Sequence, residues 1–199
     1  MAIKKNPLTA VVSGGATEPY IEETYDADGN LTTASLHGYT EIRPYCFYQQ
    51  QKLSSLDFGN KDDIEDVRDY AFYGCKSLVI DELPIKLTVI KTSSFYYCSK
   101  ITITSLQDEI TEIKSNSLAY TKCSSLRYLP RNLVNLENTA FSFTGLTSIT
   151  FRSTPTIIGL PFYNCSTLTE INVPWSEGEV AGAPWGATMA TINYDYVEV

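Results

Sequence analysis

A frame of the form aromatic-x-x-Cys-x-x-apolar recurs along this chain, and no other feature constrains the fold as strongly. It stands as Phe72-Tyr73-Gly74-Cys75-Lys76-Ser77-Leu78, as Phe95-Tyr96-Tyr97-Cys98-Ser99-Lys100-Ile101, and as Phe162-Tyr163-Asn164-Cys165-Ser166-Thr167-Leu168. Tyr120-Thr121-Lys122-Cys123-Ser124-Ser125-Leu126 is a weaker copy, and Phe141-Ser142-Phe143-Thr144-Gly145-Leu146 is one residue shorter and lacks the cysteine. The first copy places Cys46 just before its aromatic, Phe47. On this reading the anchors are Phe47, Phe72, Phe95, Tyr120, Phe141 and Phe162, at spacings of 25, 23, 25, 21 and 21 residues. A unit this short cannot bury its own apolar side, so the units must stack and share one continuous core.

The rest of each unit repeats as well. After the anchor leucine comes a strand-like alternation, as in Leu53-Ser-Ser-Leu56-Asp-Phe58, Leu146-Thr-Ser-Ile149-Thr-Phe151, Leu168-Thr-Glu-Ile171-Asn-Val173 and Leu78-Val-Ile-Asp-Glu-Leu83-Pro84. Its terminal apolar pair has the period of two that a half-buried strand requires. A second apolar pair follows, Leu87 with Ile90, Ile110 with Ile113 and Leu133 with Leu136. Its spacing of three fits a turn or short helical segment better than a strand. The fourth unit departs, because Leu126-Arg-Tyr-Leu129-Pro130 lacks the second half of the strand pattern. One strand and regularly placed leucines in about 20–29 residues is the leucine-rich-repeat pattern. The predicted fold is a β-rich repeat solenoid of about six coils, with repeats of about 23 residues. Stacking then puts the cysteines in one column and the aromatic anchors in another. Cysteine packs there as a small apolar filler, and parallel Cβ vectors disfavour cross-linking, so the five thiols are expected to be reduced and inert.

The phrases Ala71-Phe72-x-x-Cys75-x-x-Leu78, Leu83-Pro84-x-x-Leu87-x-x-Ile90 and Ala140-Phe-Ser-Phe-Thr-Gly-Leu-Thr-Ser-Ile149 resemble the BspA-like, or treponemal-type, leucine-rich repeats. The resemblance covers roughly residues 41 to 175 and implies a non-catalytic interaction module.

Residues 20–40 are expected to form an N-terminal β-hairpin cap, with Asp26-Ala-Asp28-Gly29-Asn30 between two strand-like runs. The same five residues do not make a calcium loop, because the sixth and twelfth positions are Leu31 and His37 where glycine and glutamate are needed. Residues 1–19 read as an extended arm or attachment segment, and 41–175 as the solenoid. Residues 176–199 read as a C-terminal cap whose last strand lies in the alternating run Ala190–Val199, and Trp175 and Trp185 plug the end of the apolar columns. The hairpin through Leu36-His-Gly-Tyr-Thr-Glu-Ile-Arg-Pro-Tyr-Cys-Phe-Tyr48 and the cap through Asn172-Val-Pro-Trp-Ser-Glu-Gly178 together resemble leucine-rich-repeat proteins encoded in prophages of gut bacteria. That resemblance implies a virion accessory protein, either a receptor-binding appendage or a capsid or tail decoration. The implied alternative is a bacterial surface adhesin of the BspA-like type.

Composition narrows function further. The net charge of −8 argues against nucleic acid and anionic membrane surfaces. Leu8–Val12 is shorter than a signal-peptide apolar region of about 7–15 residues, and no run approaches the ~20 apolar residues of a membrane span. The expectation is synthesis in the bacterial cytoplasm and residence in the virion, with the cell surface as alternative.

No catalytic residues, metal ligands or cofactor are expected. The single histidine, His37, has no partnered nucleophile motif. Glu22-Glu23, Asp62-Asp63 and Asp108-Glu109 are adjacent pairs that read as solvated surface. Two binding faces stand out. Tyr48, Tyr73, Tyr96 and Tyr163 follow the anchor in four of six units and form a candidate tyrosine column. The outward sheet positions include Ser54, Asp57, Glu82, Thr102, Ser105, Thr147, Thr150, Thr169 and Asn172, of which Asp57, Glu82, Ser105, Thr150 and Asn172 are the candidate sheet-face site. The expected partners are other virion proteins through the N-terminal arm and a host surface protein or glycan, with a homo-oligomer possible.

Overall fold

Each coil turns through the same backbone device at the same place. The residue two before the anchor and the residue two after it adopt positive φ. The first set is Tyr45, Tyr70, Ser93, Asn116 and Thr139; the second is Gln49, Gly74, Tyr97, Tyr120, Phe143 and Asn164. Most of these are not glycine, at a cost of about 1–2 kcal/mol each in the left-handed region. Between them the anchor's N–H donates to a carbonyl of the next coil, as Phe47 to Ala71, Phe72 to Ser94, Phe95 to Ser117 and Phe141 to Pro161.

The computed structural model describes residues 2–6 and 19–198. In chain order the strands are β1 (Ala2–Asn6), β2 (Tyr20–Tyr25), β3 (Leu31–His37), β4 (Glu41–Ile42), β5 (Ser55–Asp57), β6 (Asp66–Val67), β7 (Val89–Ile90), β8 (Glu112–Ile113), β9 (Asn135–Leu136), β10 (Ser148–Thr150), β11 (Thr156–Ile157), β12 (Glu170–Asn172) and β13 (Thr191–Asn193). They wind a leucine-rich-repeat β-solenoid of about seven turns. One flank stacks β4 on β6 and, separately, β7 on β8 on β9 on β11, all parallel. Ile42, Val67, Ile90, Ile113 and Leu136 point from it into the core. This corrects the expectation of a turn or helical segment there. Leu87, Ile110 and Leu133 do sit in turns, donating to Pro84, Gln107 and Pro130, but the second member of each pair lies on a two-residue strand.

The opposite flank is less regular than its leucines suggest. β3 pairs parallel with β5, and β10, β12 and β13 pair parallel, while residues 78–84 and 101–107 contain no strand. The spacing of the inward apolar positions, all buried except the half-buried Leu56, accompanies the difference. Where strands form they are spaced three then two, as Leu53, Leu56, Phe58 or Ile149's unit Leu146, Ile149, Phe151. Where strands fail they are spaced two then three, as Leu78, Ile80, Leu83 and Ile101, Ile103, Leu106. In the second pattern the coils keep isolated rungs, such as Thr102 N–H to the Ile80 carbonyl, without a continuous ladder.

The core register also differs from the sequence reading in one unit. Leu118, not Tyr120, occupies the anchor position: its N–H donates to Ala140, as its equivalents do, and its side chain is fully buried. The anchor column is Phe47, Phe72, Phe95, Leu118, Phe141 and Phe162, with rings stacked 5.3 Å, 5.5 Å and 5.8 Å apart wherever two phenylalanines adjoin. The thiol column is corrected with it. Cys75, Cys98 and Cys165 donate to Phe47, Phe72 and Phe141 carbonyls of the preceding coil, each at 3.0 Å. Thr121 and Thr144 hold the equivalent positions and donate to Leu118 and Phe141. Cys123 lies off the column against the Thr121 hydroxyl, 3.1 Å away. None of the five thiols is in a disulfide.

Burial pushes every thiol up, Cys46 and Cys123 to about 11 and Cys75 to about 12, from an ordinary 9.0. The folded state therefore holds these protons more tightly than the unfolded chain. The stabilisation is full below pH 9 and is lost as pH rises through 11 to 12. Ellman's reagent at pH 8 is expected to label no more than the half-buried Cys46 in the native protein and all five thiols in denaturant. Rapid native labelling of Cys75 or Cys98 would contradict this packing.

The ends close the columns. β2 and β3 form the expected antiparallel hairpin, and β1 adds antiparallel to β2, so residues 2–6 are a sheet strand. The rest of the expected arm, 7–18, lies outside the described residues. The Asp26 carboxylate ties the turn by accepting from the Asp28 and Asn30 backbone and from the Asn30 amide. At the other end Trp175 and Trp185 are buried against Phe151, at ring distances of 5.2 Å and 5.8 Å. β13 completes the last coil over Thr191–Asn193, after which 194–198 turns back rather than continuing as strand.

Candidate interaction surface

Many of the left-handed residues flanking the anchors are aromatic, and Tyr45, Tyr70, Tyr97, Tyr120 and Phe143 reach the surface. Tyr45 stacks on Tyr70 at 5.0 Å with planes 2° apart. Tyr48, Tyr73 and Tyr96 stack in succession at 5.1 Å and 4.7 Å. Tyr120 stacks on Phe143 at 4.4 Å and meets Tyr96 and Tyr97 edge-on, and Phe143 meets Tyr163 edge-on at 5.8 Å. Edge contacts of Tyr45 with Tyr48 and tilted contacts of Tyr70 with Tyr73 join the rows. Nine rings thus make one continuous strip down the turn edge. Each such contact contributes about 0.5–1.5 kcal/mol beyond burial, which offsets the left-handed backbone beneath it.

The expected column Tyr48, Tyr73, Tyr96 and Tyr163 lies on this strip. Tyr48 and Tyr163 are exposed, Tyr73 and Tyr96 half-buried, and Tyr163 is reached only through Phe143 because Ala119 and Ser142 interrupt the column. Sequence reasoning missed Tyr45, Tyr70, Tyr120 and Phe143. The signal was the parallel between Lys91-Thr-Ser-Ser-Phe95 and Lys114-Ser-Asn-Ser-Leu118, which sets the register and moves Tyr120 out of the core and onto the turn. Between coils the strip opens into a cleft of about 360 Å³ lined by Gln49, Tyr73, Lys76, Tyr96, Tyr97 and Tyr120. The Lys76 ammonium lies 4.9 Å from the Tyr97 ring centre, a cation–π distance. Burial first, then the neighbouring phenols Tyr120 and Tyr73, raise the Tyr96 hydroxyl above its ordinary value, so it stays a hydrogen-bond donor.

The sheet-face candidates do not converge. Asp57 caps a turn by accepting from Gly59, Glu82 pairs with Lys61 at 2.9 Å, and Ser105 is exposed in the strandless segment 101–107. Thr150 and Asn172, expected outward and open, are buried. They point away from Ile149 and Ile171, but neighbouring groups surround them: Thr150 lines an open cleft with Tyr196, Val197 and Glu198 of the returning tail. Glu198 reaches Arg131 at 3.0 Å, and Asn172 bonds Thr150 and Asn193 in an internal polar ladder.

The remaining polar candidates have structural partners. His37 stacks on Tyr20 and lies 3.8 Å from Glu22. Glu23, expected to be solvated, is buried and accepts from the Tyr25 hydroxyl at 2.8 Å. Asp108 faces Arg131 and Arg152. Among the described residues no group of three or more His, Cys, Asp or Glu is placed to hold a metal ion, and no helix is long and apolar enough to cross a membrane.

A family description, the BspA type leucine-rich repeat region, matches residues 40–169 in six copies. Among solved structures, the leucine-rich-repeat protein of Treponema pallidum shares 19% identity over 73% of this chain and 86% of that one, with a TM-score of 0.52. A leucine-rich cell surface protein of Faecalibacterium prausnitzii shares 20% identity over 88% of this chain and 57% of that one, with a TM-score of 0.51. No curated protein matches the sequence.

Proposed function

Because the chain belongs to the BspA-type leucine-rich-repeat family, whose members are generally non-catalytic interaction modules, we propose that it binds a macromolecular partner through the aromatic turn edge. The observation that carries this is the strip itself. Tyr45, Tyr48, Tyr97, Phe143 and Tyr163 are each more than a third exposed and are linked through Tyr73, Tyr96 and Tyr120, where a protein surface ordinarily scatters its large apolar groups singly. Tyrosine offers a large contact area at low entropic cost and a polar rim, which suits recognition rather than turnover. The module is read here as a virion accessory protein, a receptor-binding appendage or a capsid or tail decoration. On this reading the N-terminal segment attaches to the particle and the strip faces a host surface protein. The prophage-like hairpin and tryptophan cap support that placement. A second reading, a bacterial cell-surface protein, is favoured by the cell-surface description of the Faecalibacterium neighbour.

Two measurements test the proposal. Mass spectrometry of purified particles and of surface-shaved cells from a producing culture is expected to find the chain in particles. Recovery only from shaved cells favours the second reading, and recovery from neither rejects both. Binding of the labelled protein to host cells is expected to fall at least tenfold in Tyr73→Ser/Tyr96→Ser. Unchanged binding with an unchanged melting temperature would remove the strip from the interface.

A further inference from the structure

The turn edge has the opposite charge from the molecule that carries it. Residues 43–52, 68–77, 91–100 and 114–123, the first four turns, hold eight cations against the single acid Asp69. With a net −8 for the whole chain, the rest of the protein carries the surplus of acid. The cations form two rows, one on each side of the aromatic strip.

The two rows are not equivalent. The row four residues before the anchors, Arg43, Arg68, Lys91 and Lys114, lies beside the acidic strand residues. Arg68 reaches Glu41 at 2.8 Å and Asp66 at 3.0 Å, and Lys114 reaches Glu137 at 3.0 Å and pairs with Glu112. The row after the turn is Lys52, Lys76, Lys100 and Lys122. It has one lysine per coil and makes no ion pair among the described residues. Lys52, Lys100 and Lys122 are exposed, and Lys76 lies over Tyr97 in the cleft. With coils about 4.8 Å apart, four lysines span about 14 Å, the reach of four or five extended peptide residues.

From this geometry we infer that the partner of the turn edge presents an acidic peptide segment, laid along the Lys52–Lys122 row with a side chain in the tyrosine cleft. The inference rests on the binding reading above and names the partner's chemistry. Carboxylates on such a segment find ammonium groups on one side and phenol hydroxyl rims on the other, both donors to an anion. The ring geometry favours peptide over sugar. Tyr48, Tyr73 and Tyr96 cover one another's faces at 4.7–5.1 Å, so the strip offers rims and hydroxyls rather than the open ring faces on which a pyranose stacks. Opposite charge also speeds encounter between an acidic partner and the one cationic edge of an acidic protein.

The test is fluorescence anisotropy with the full chain and a labelled glutamate–tyrosine random copolymer, in parallel with an alginate of matched charge. The copolymer is expected to bind, to weaken by at least tenfold between low and moderate salt, and to lose at least tenfold in Lys76→Glu/Lys100→Glu. The milder Lys76→Gln/Lys100→Gln should lose less, and Lys61→Glu/Lys86→Glu, away from the turn, should bind as the parent does. Retained copolymer binding by the reversed variant, no binding at low salt, or tighter binding of alginate would each overturn the acidic-peptide partner. A dimer in sedimentation that the same reversal dissociates would overturn it too, by making a second copy of this chain the occupant. The binding reading is judged separately. If Tyr73→Ser/Tyr96→Ser abolishes host-cell binding while the lysine variants do not, the strip is the interface and only the acidic partner is wrong. If neither set matters, both readings fall.

Discussion

Replacing Leu118 by alanine is expected to lower the free energy of unfolding by about 3 kcal/mol, within the usual range of about 2–5 for a buried leucine. Leu118 is fully buried and stands between Phe95 and Phe141 in the anchor column. Alanine there leaves a void that the neighbouring rings, held by their own coils, cannot fill. Tyr120→Ala, two residues away, removes a half-buried ring whose main contact is the 4.4 Å stack on Phe143, and is expected to cost about 1 kcal/mol. Urea denaturation of both variants, with an unchanged dependence on denaturant, measures the contrast. A Tyr120→Ala loss larger than that of Leu118→Ala would restore the aromatic to the core and refute the register of the fourth unit.

Trp185→Ala is the other large effect, about 3–5 kcal/mol. The ring is buried against Phe151 and Trp175, its indole N–H donates to Ala181 at 2.9 Å, and its carbonyl accepts from Phe162. It therefore closes the apolar columns and also supplies the next rung above the last aromatic anchor. Because each coil contacts mainly its neighbours, the damage should be local. Hydrogen exchange is expected to show protection lost first in β12 and β13, with β7, β8 and β9 retaining theirs. Trp185→Phe should recover part of the stability. Uniform loss across all strands would mean that the cap acts on the whole solenoid at once.

Much of the fold was legible because a stacked architecture writes itself as a period. The anchors, the hairpin around Asp26–Asn30 and the tryptophan plug follow from spacing and turn chemistry, and the hairpin, the plug and five of the six expected anchors are present. The slip at Tyr120 has a physical cause. A core column selects volume, not aromaticity, so leucine served in one unit. A tyrosine on the turn then imitated the anchor beside Cys123. The irregular flank was also written in the chain, as apolar spacings of two-then-three against three-then-two, but a leucine count without spacing conceals it.

The interaction surface was half legible. Tyr48, Tyr73, Tyr96 and Tyr163 could be read as a column, since they share a position after the anchor. Tyr45 and Tyr70 could not be joined to them without the left-handed turns that bring anchor-minus-two beside anchor-plus-one. The sequence by itself determined a repeating unit, its approximate length, the residues able to fill its core and the need for a plug at each end, because local periodicity and side-chain volume carry that information. The tertiary structure alone decided that Thr150 and Asn172 are buried, that nine rings form one strip, and that rows of cations flank that strip within an acidic protein. Those properties depend on which residues 20 to 25 positions apart become neighbours, and only the closed register of the coils settles that.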